Sequence, residues 1–571
     1  MRIFKTIKKN HIVLFLILLF AAVLRLYKLS SIPPGLTPDE ASLGYNAYSI
    51  LKTGKDEYGQ VLPIIFKSFG DYKPGLYVYL TIPFVAIFGL TEFAVRLPSA
   101  LAGVVAVWLI YLVVREIFSQ KKLEIGNKHS LSLRDWKLEI LAAAMLAASP
   151  WHIHFSRGAW EANLSLTLTL AGILFYLKSL KNTKYLVFSA VLFSLTLLTY
   201  QGSKLSTPIV IFTLTLIFWR EVKKWFSSAR RDLAGTILLG LLISLPIVLS
   251  LLQSKTGRLE VFSILSYKRP QEQIQTIIRQ GEESVSGLSY SLFHSEELNL
   301  KRSILGRWFN HFSTRFLFFE GDWQNSRHSS PNHGMLLLTD FIFLILGLVA
   351  IVKDKNKALI FILLWLILAP LPAALSRDQV HAVRSLNMVI PLTVISAIGL
   401  TSILNFVSKF DRLRVTSYAL IFTFYLLPFT LFLDSYFVHL PIHNAKHWFY
   451  GYKQAVTVIT PIQNDYKNIV FQQSYDQPYI YFLFYQKYDP AKYQEQAKLT
   501  EGGVDVGLVE KFDNILFETF SWPYRTDRKN TLVVGNPVGI PADINENDFR
   551  LIKEIKYPDE FETAFRIVEV K

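Results

Sequence analysis

Between residues 10 and 433 the chain alternates long apolar runs with shorter polar or charged stretches. A helix that crosses a bilayer needs about 20 largely apolar residues, and somewhat fewer when flanking side chains reach the interface. The runs predict a mostly α-helical, polytopic membrane protein. The eleven predicted spans are 11–29, 95–118, 138–155, 162–180, 185–200, 205–219, 233–252, 334–352, 358–375, 388–406 and 415–433.

A twelfth apolar run, 76–90, decides the orientation of the chain. If it spans the bilayer, the basic stretch 121–137 lies outside; if it is interfacial or re-entrant, that stretch lies inside. The second choice also puts the other basic clusters inside, in agreement with the positive-inside rule. Those clusters lie at 181–184, 220–231, 353–357 and 409–414. We therefore expect a cytoplasmic N-terminus and an interfacial helix at 76–90, with the first outer loop 30–93 and the long outer loop 253–333 on the opposite side.

The N-terminus has the charge order of a signal peptide, with Lys5, Lys8 and Lys9 ahead of an apolar run. However, no small-residue cleavage site follows, and Arg25 and Lys28 flank the run. We expect an uncleaved first helix.

Residues 434–571 have a different pattern. Strand-like runs at 468–471, 479–484 and 531–534 are separated by polar turns with Pro or Gly, and a helical stretch surrounds 447–459. This predicts a small extracytoplasmic α/β domain, 434–571, after a transmembrane domain, 1–433.

Composition narrows the class of protein. Of 571 residues, 51% are hydrophobic and only 18% are charged, which is too apolar for a soluble chain of this length. The net charge of +16 is explained by cytoplasmic loops, so nucleic acid is not an expected partner. The absence of Cys excludes disulfides, thiolate nucleophiles and Cys-ligated metals. Together with the basic charge, it favours a prokaryotic plasma membrane.

The first outer loop carries the main candidate chemistry. Asp39 and Glu40 follow the first apolar run closely, and a carboxylate pair at a bilayer costs free energy unless it has a use. A positioned carboxylate can take the proton of a hydroxyl nucleophile. Lys73, with its neighbour Tyr72, and Arg96 at the outer end of the second span supply groups for an anionic lipid headgroup. For Arg96, snorkelling to lipid phosphate is the alternative.

The other outer loops supply further candidates. In the second loop Arg157 is a further candidate for stabilising the charge of the departing lipid phosphate. Arg157 and Glu161 are also spaced for a local i, i+4 ion pair, which is the alternative. Alternatively, Glu161 converges on Asp39. Arg327, His328 and Arg384 are expected to contact lipid phosphate or a sugar, with an ordered interfacial loop or snorkelling as the alternatives. His328 and His333 lack the matching acid or thiolate spacing of a zinc site, so no metal ligands are predicted there.

The ordered set of motifs resembles membrane glycosyltransferases of the C superfamily, in the branch of the protein O-mannosyltransferases and the lipid A aminoarabinose transferases (family 39-like). The motifs are Asp39-Glu40, Tyr72-Lys73-Pro74, and the segment Glu92-Phe93-Ala94-Val95-Arg96-Leu97-Pro98-Ser99-Ala100. The resemblance covers residues 10–180 well and is mainly architectural beyond them.

The resemblance implies a polyprenyl-phosphate sugar donor and transfer with inversion. It implies Asp39 as general base, Lys73 as the phosphate ligand, and an acid in the second outer loop. Here that acid is Glu161, where the family often has Asp, and Gly75 stands where a second Pro is common. We expect Glu40 to support the base or to position the acceptor. The more similar branches need no metal, so no cofactor is expected. Mg²⁺ or Mn²⁺ on the three acids is the alternative.

The expected function is therefore an integral membrane glycosyltransferase that acts on a protein, lipid or glycan acceptor. A transporter or lipid flippase would need ionisable residues near the bilayer midplane and commonly internal repeats. The predicted spans carry few charges and no repeat is visible. A non-catalytic envelope assembly protein is the third class, and replacement of Asp39 by Asn separates it from an enzyme.

Overall fold

The computed structural model describes residues 2–119, 138–253, 263–266, 268–282, 284–353, 356–410, 414–473, 477–497, 499–501 and 507–571. The predicted basic stretch 121–137 lies outside the described residues. Helices occupy all eleven positions at which spans were predicted. They are Arg2–Leu26, Glu92–Ser119, Leu138–Ala148 with Pro150–Ser156, Glu161–Ser179, Leu186–Leu197, Ser203–Ile217, Arg230–Leu252, Leu338–Lys353, Lys357–Leu368 with Leu371–Ala374, Val389–Val407 and Arg414–Asp434.

Six described helices are long and apolar enough to cross a membrane, or seven if the bent pair Ser203–Ile217 and Trp219–Ser227 is one span. Several others are apolar but shorter, such as Leu138–Ala148. That helix ends early because Pro150 disfavours a helical conformation at Ser149, whose side chain caps the next helix. The chain has several membrane-length apolar helices, as a multi-pass protein requires, while the count of eleven and the orientation stay predictions.

The bundle is packed closely through small residues. A Cβ added to Gly399 would lie 1.9 Å from the carbonyl oxygen of Phe343, and one added to Gly347 would lie 2.1 Å from that of Ile395. Helices Leu338–Lys353 and Val389–Val407 therefore approach backbone to backbone, as small residues allow in apolar bundles.

The first outer loop is an ordered unit. It contains helix Pro38–Thr53, then an antiparallel hairpin of β1 (Ile65–Ser68) and β2 (Asp71–Pro74), which the hydrophobic pattern did not predict. Helix Leu76–Phe88 follows. Its 13 residues extend about 20 Å, less than the roughly 30 Å of a hydrocarbon core. Its interfacial position stays a prediction.

The long outer loop and the segments that follow the spans are built from short helices. The described ones include Gln271–Gln280, Glu296–Asn310, Arg315–Phe319, Ser326–His328, Leu386–Met388, Ser435–His439, Leu440–His443 and Lys446–Trp448.

The C-terminal residues form a mixed six-stranded sheet and a separate two-stranded pair. The strands of the sheet are β3 Asn468–Gln472, β6 Lys511–Phe512, β7 Ile515–Glu518, β8 Thr531–Gly535, β9 Phe549–Lys556 and β10 Thr563–Val570, and those of the pair are β4 Leu499–Glu501 and β5 Gly507–Val509. The order in the sheet is β6-β7-β3-β8-β10-β9; β3 pairs in parallel with β7 and β8, and the other pairs are antiparallel. Helices Tyr452–Ile459, Tyr479–Tyr485 and Pro490–Gln496 pack around them.

The strands predicted at 468–471 and 531–534 are present as β3 and β8. The strand predicted at 479–484 is wrong, because these residues form helix Tyr479–Tyr485. Residues 479–484 of this helix are all buried, so the sequence has no repeat of polar and apolar positions that would indicate a helix. A short, continuous apolar run does not distinguish a buried helix from a buried strand.

The C-terminal region shares its core with the first outer loop. The hydroxyl of Tyr481 donates to the carbonyl of Leu36 at 3.1 Å, and that of Tyr45 donates to the carbonyl of Tyr488 at 3.2 Å. A Cβ on Gly44 would lie 2.7 Å from the ring of Phe484. The helix that carries Asp39 is therefore supported by the C-terminal region, and the domain division at 433/434 stays a prediction.

Candidate active site in the outer loops

The adjacent carboxylates Asp39 and Glu40 lie in the first turn of helix Pro38–Thr53. Thr37 is the N-cap: its hydroxyl accepts the Glu40 N–H at 3.2 Å, and Glu40 Oε2 accepts the Thr37 N–H at 3.0 Å. Successive helical residues point about 100° apart, since one turn takes about 3.6 residues. The Asp39 side chain is accordingly 46% exposed, whereas that of Glu40 is 5% exposed.

Glu40 joins three segments of the chain. Its Oε1 accepts from Arg96 Nε at 3.0 Å and from the Ala159 N–H at 2.9 Å. Its Oε2 accepts a second Arg96 bond at 3.3 Å in addition to the Thr37 N–H. Both oxygens are thus engaged inside the protein, where they hold Thr37, Arg96 and Ala159 together.

Arg96 and Arg157 both bind the backbone that follows the first helix. Each guanidinium is completely buried. Each donates to three backbone carbonyl oxygens. Those of Arg96 belong to Leu29, Pro33 and Gly35. Those of Arg157 belong to Leu24, Tyr27 and Ile32. These hydrogen bonds are directed inward and hold the backbone of residues 24–35 in place, while a contact of either cation with a substrate stays a prediction.

Asp39 forms an ion pair with Lys73, which lies on β2. The Lys73 side chain is 8% exposed, and its ammonium group lies 5.5 Å from the centroid of the Phe69 ring. Across the hairpin Lys73 is opposite Phe66. A Cβ on Gly75 would lie 2.2 Å from the Phe66 ring, which explains a residue without a side chain at this position. A buried cation thus faces a half-exposed carboxylate.

The third outer turn, residues 201–204, contributes groups that the sequence analysis did not select. The Gln201 side-chain amide donates to the Tyr72 carbonyl, and Lys204 lies within electrostatic range of Asp71. Ser203 and Ser165 share a 2.6 Å hydroxyl hydrogen bond. In the sequence, these groups are indicated only by a short turn between two apolar runs that carries the long polar side chains of Gln201 and Lys204.

Glu161 is the first residue of helix Glu161–Ser179. Ser165 is one turn further along the same helix, and its bond to Ser203 brings the start of this helix beside the third outer turn and so beside the Lys73 hairpin. Tyr77 lies within electrostatic range of both Glu40 and Glu161. The convergence of Glu161 on Asp39 stays a prediction.

A second acid, Glu57, lies behind Lys73. It is fully buried, and its Oε1 accepts from the Asn46 amide at 2.8 Å and from Ser42 Oγ at 3.3 Å. Burial raises the pKa of Glu57 to about 8; Asp56 raises it further, and Lys73 is among the groups that lower it. Near neutral pH this carboxyl is therefore mostly protonated, and no pattern in the sequence predicts it.

The other predicted substrate-binding residues lie in a second group of side chains, which includes Asp322 and Asp378. These residues are Arg327, His328 and Arg384. His328 Nδ1 lies 2.9 Å from Asp322 Oδ2, and Arg384 pairs with Asp378 at 3.2 Å. The guanidinium of Arg327 lies 6.0 Å from the Phe449 ring centroid. The ring of Trp160, between this group and Glu40, lies 5.5 Å from that of His328.

A cavity of about 590 Å³ lies beside this second group. Its charged lining includes Arg307 and Arg377 as well as Glu296 and Asp378, but neither Asp39 nor Lys73. The cavity is amphipathic, since Leu265 and Leu300 also line it.

Residues 72–123 match the family described as dolichyl-phosphate-mannose-protein mannosyltransferase, and this segment includes Tyr72, Lys73 and Arg96. A comparison with curated proteins gave no match. The chain is also similar to solved structures, among them three at 12% sequence identity.

Two of these structures are of ArnT from Cupriavidus metallidurans. The one bound to undecaprenyl phosphate has a TM-score of 0.50 and the apo form 0.51, with 97% of both chains covered in each case. The third is the archaeal oligosaccharyltransferase AglB from Archaeoglobus fulgidus, with a TM-score of 0.48; 83% of this chain is covered, and it spans 63% of the AglB chain. The likeness to the ArnT structures shows that the chain has an ArnT-like fold, and residues 72–123 are similar to the matching mannosyltransferase family.

Proposed function

We propose that this protein transfers a sugar from a polyprenyl-phosphate donor to an acceptor hydroxyl at the outer face of a prokaryotic plasma membrane. The acceptor is a protein, a lipid or a cell-surface glycan. The observation that carries the proposal is the ion pair between half-exposed Asp39 and buried Lys73, which come from separate elements of the first outer loop.

The pair fits a single displacement with inversion at the anomeric carbon. Asp39 takes the acceptor proton while the acceptor oxygen bonds to the sugar, and the bond to the lipid phosphate breaks on the opposite face. A base in this role contributes about 10²–10⁴ in rate. Lys73 stabilises the negative charge that develops on the departing phosphate.

The ion pair also gives the donor a defined competitor. The donor phosphate and Asp39 are both anions that can bind the Lys73 ammonium group. Binding of the phosphate therefore weakens the hold of Lys73 on Asp39 and frees this carboxylate for the acceptor. A lysine with 8% exposure favours such exchange of anions, because water does not satisfy it fully.

The remaining groups have supporting roles in this proposal. Glu40, Arg96 and Arg157 fix the loop, Glu161 is the second acid that orients the acceptor, and Tyr72 borders the donor site. Arg327, His328 and Arg384 line the approach beyond Trp160. The donor class is supported by the undecaprenyl phosphate bound in the ArnT structure and by the donor in the name of the matching family.

The test is mass spectrometry of lipids that co-purify with the protein, followed by transfer from a radiolabelled polyprenyl-phosphate sugar to extracted envelope acceptors. We expect Asp39→Asn to retain the lipid and lose transfer, and Lys73→Met to lose both. Lys67→Met is the matched control, because Lys67 lies on the neighbouring strand opposite Tyr72, one residue out of register with Lys73. Full transfer by the Asp39→Asn protein would refute the proposal, and so would the same lipid content in the Lys73 and Lys67 variants.

A further inference from the structure

The long outer loop and the loop 376–387 meet at three side chains that carry metal-ligating atoms. Asp322, His328 and His381 each offer one ligand atom, and these atoms lie within 4.8 Å of one another. Among the described residues, this is the group of three or more His and acidic side chains that meets this condition. We propose that it binds one divalent transition-metal ion of the Zn²⁺ class and thereby joins the two loops.

The spacing needs little adjustment. Three atoms no more than 4.8 Å apart all lie within about 2.8 Å of a common centre, whereas Zn–N and Zn–O bonds are about 2.0–2.2 Å. Each side chain must therefore move inward by less than about 1 Å. Two imidazoles and one carboxylate are ligands that Zn²⁺ accepts, with a fourth position for water or a substrate oxygen.

The carboxylate is already oriented from both loops. Asp322 Oδ2 accepts the Ala382 N–H at 2.8 Å, and Oδ1 accepts the Asn325 N–H at 3.1 Å. Asp322 is 1% exposed and His328 is 3% exposed. A buried carboxylate that is fixed by backbone donors is a preorganised ligand, and such preorganisation favours tight binding.

The two imidazoles lie close to each other, with ring centroids 5.0 Å apart. The His381 backbone is held by a further ring, since its N–H donates to His311 Nε2 at 3.1 Å. His311 in turn donates from Nδ1 to the Arg307 carbonyl at 2.7 Å.

Nearby cations do not exclude a metal ion. Arg384 is paired with Asp378 at 3.2 Å, and Asp378 Oδ2 also lies 3.8 Å from His381 Nε2. Asp322 therefore supplies the negative charge at the ion, and Asp378 offsets the charge of Arg384. The sequence does not reveal this group because His381 is 53 residues away from His328, far beyond the spacing of a local zinc motif.

The test is zinc analysis of the full-length protein purified without chelators, by inductively coupled plasma mass spectrometry. We expect about one Zn per chain, as for a single site with protein ligands, and near-complete loss in the His328→Gln/His381→Gln double variant. The matched control is His439→Gln/His443→Gln. Those rings are exposed and stacked 5.5 Å apart next to Asp434, so they report surface binding of zinc.

A second measurement covers the case in which the double variant does not fold. The wild-type protein is stripped with chelator, and its unfolding temperature is recorded before and after addition of zinc sulfate alone; we expect a rise. No rise, equal zinc in both double variants, or loss of zinc only in the control would overturn the proposal. Zinc content and unfolding temperature do not depend on sugar transfer, so failure of the proposed enzymatic function would leave this result unchanged.

Discussion

Replacing each of the two adjacent carboxylates separately distinguishes a chemical group from a structural one. Glu40→Gln removes the negative charge opposite the fully buried Arg96 and leaves one acceptor oxygen where two accept four hydrogen bonds. Asp39→Asn removes a charge of the same sign one residue earlier, from a side chain that is 46% exposed.

The expected costs differ several-fold. Removal of one partner from a buried ion pair costs about 3–5 kcal/mol, because the other charge is left without compensation. In Glu40→Gln we expect about 3 kcal/mol, since the Arg96 guanidinium keeps its three carbonyl acceptors. An exposed ion pair contributes about 0–1 kcal/mol. We expect Asp39→Asn to fall near the upper end of this range, because Asp39 is the half-exposed partner and the amide oxygen of the new side chain can still accept from the buried Lys73 ammonium group.

The assay is unfolding of both variants in the same detergent, followed by tryptophan fluorescence during denaturant titration, together with the transfer reaction at low temperature. Glu40→Gln should lower the unfolding midpoint clearly and keep residual transfer while folded. Asp39→Asn should leave the midpoint near that of the wild type and abolish transfer. The reverse order of stabilities, or an inactive Glu40→Gln protein of unchanged stability, would refute the assignment of roles.

Three further predictions concern the surroundings of this pair. Glu57 has a pKa of about 8 in the folded chain against an ordinary 4.5, so its contribution to stability is complete below pH 4.5 and is lost as the pH rises to 8; Glu57→Gln should therefore gain stability relative to the wild type at pH 8 but not at pH 4.5, measured by thermal unfolding. Gly35→Ala should lower the unfolding temperature, because its Cβ would lie 2.0 Å from the Trp448 carbonyl oxygen, whereas the control Gly306→Ala, with open space and a helical position, should not. A chain truncated after residue 443 should aggregate on size-exclusion chromatography, because it exposes the apolar surface that residues 452–565 cover on the first outer loop.

Hydrophobic runs predicted the positions of the membrane helices well, because apolar length is set by the bilayer and needs no knowledge of neighbours. They did not predict breaks such as that at Ser149, or which helices reach full span length. Those depend on local backbone restrictions and on tertiary packing. The helix at 479–485 was missed for the same reason: its burial on all sides removes the period on which such a prediction rests.

The candidate site was predictable in its residue types but not in all their roles. The sequence singled out Asp39 and Lys73, and the structure joins them in an ion pair. Charge alone could not show that Arg96 and Arg157 are directed inward, because an arginine that binds phosphate and one that binds backbone carbonyls have the same sequence appearance. The Asp322–His328–His381 group was hidden because it requires contact between two distant loops.

The proposed binding of a phosphate by Lys73 depends on the protonation state of Glu57. If Glu57 were ionised, a second buried carboxylate would compete for the Lys73 ammonium group and weaken its attraction for a phosphate. The apolar and aromatic surroundings of Glu57, which include Tyr45, Tyr479 and Tyr493, raise its pKa and remove that competitor at neutral pH. Asp39 is then the ionised group that pairs with this cation, and in the proposed function it is the exposed partner that a donor phosphate replaces. On this reasoning, donor affinity falls above pH 8 as Glu57 ionises, and Glu57→Gln removes that fall. The measurement is retention of a radiolabelled polyprenyl phosphate by the wild type and by Glu57→Gln at pH 7 and pH 9. An identical loss of retention in both proteins at pH 9 would contradict a dependence of donor affinity on Glu57.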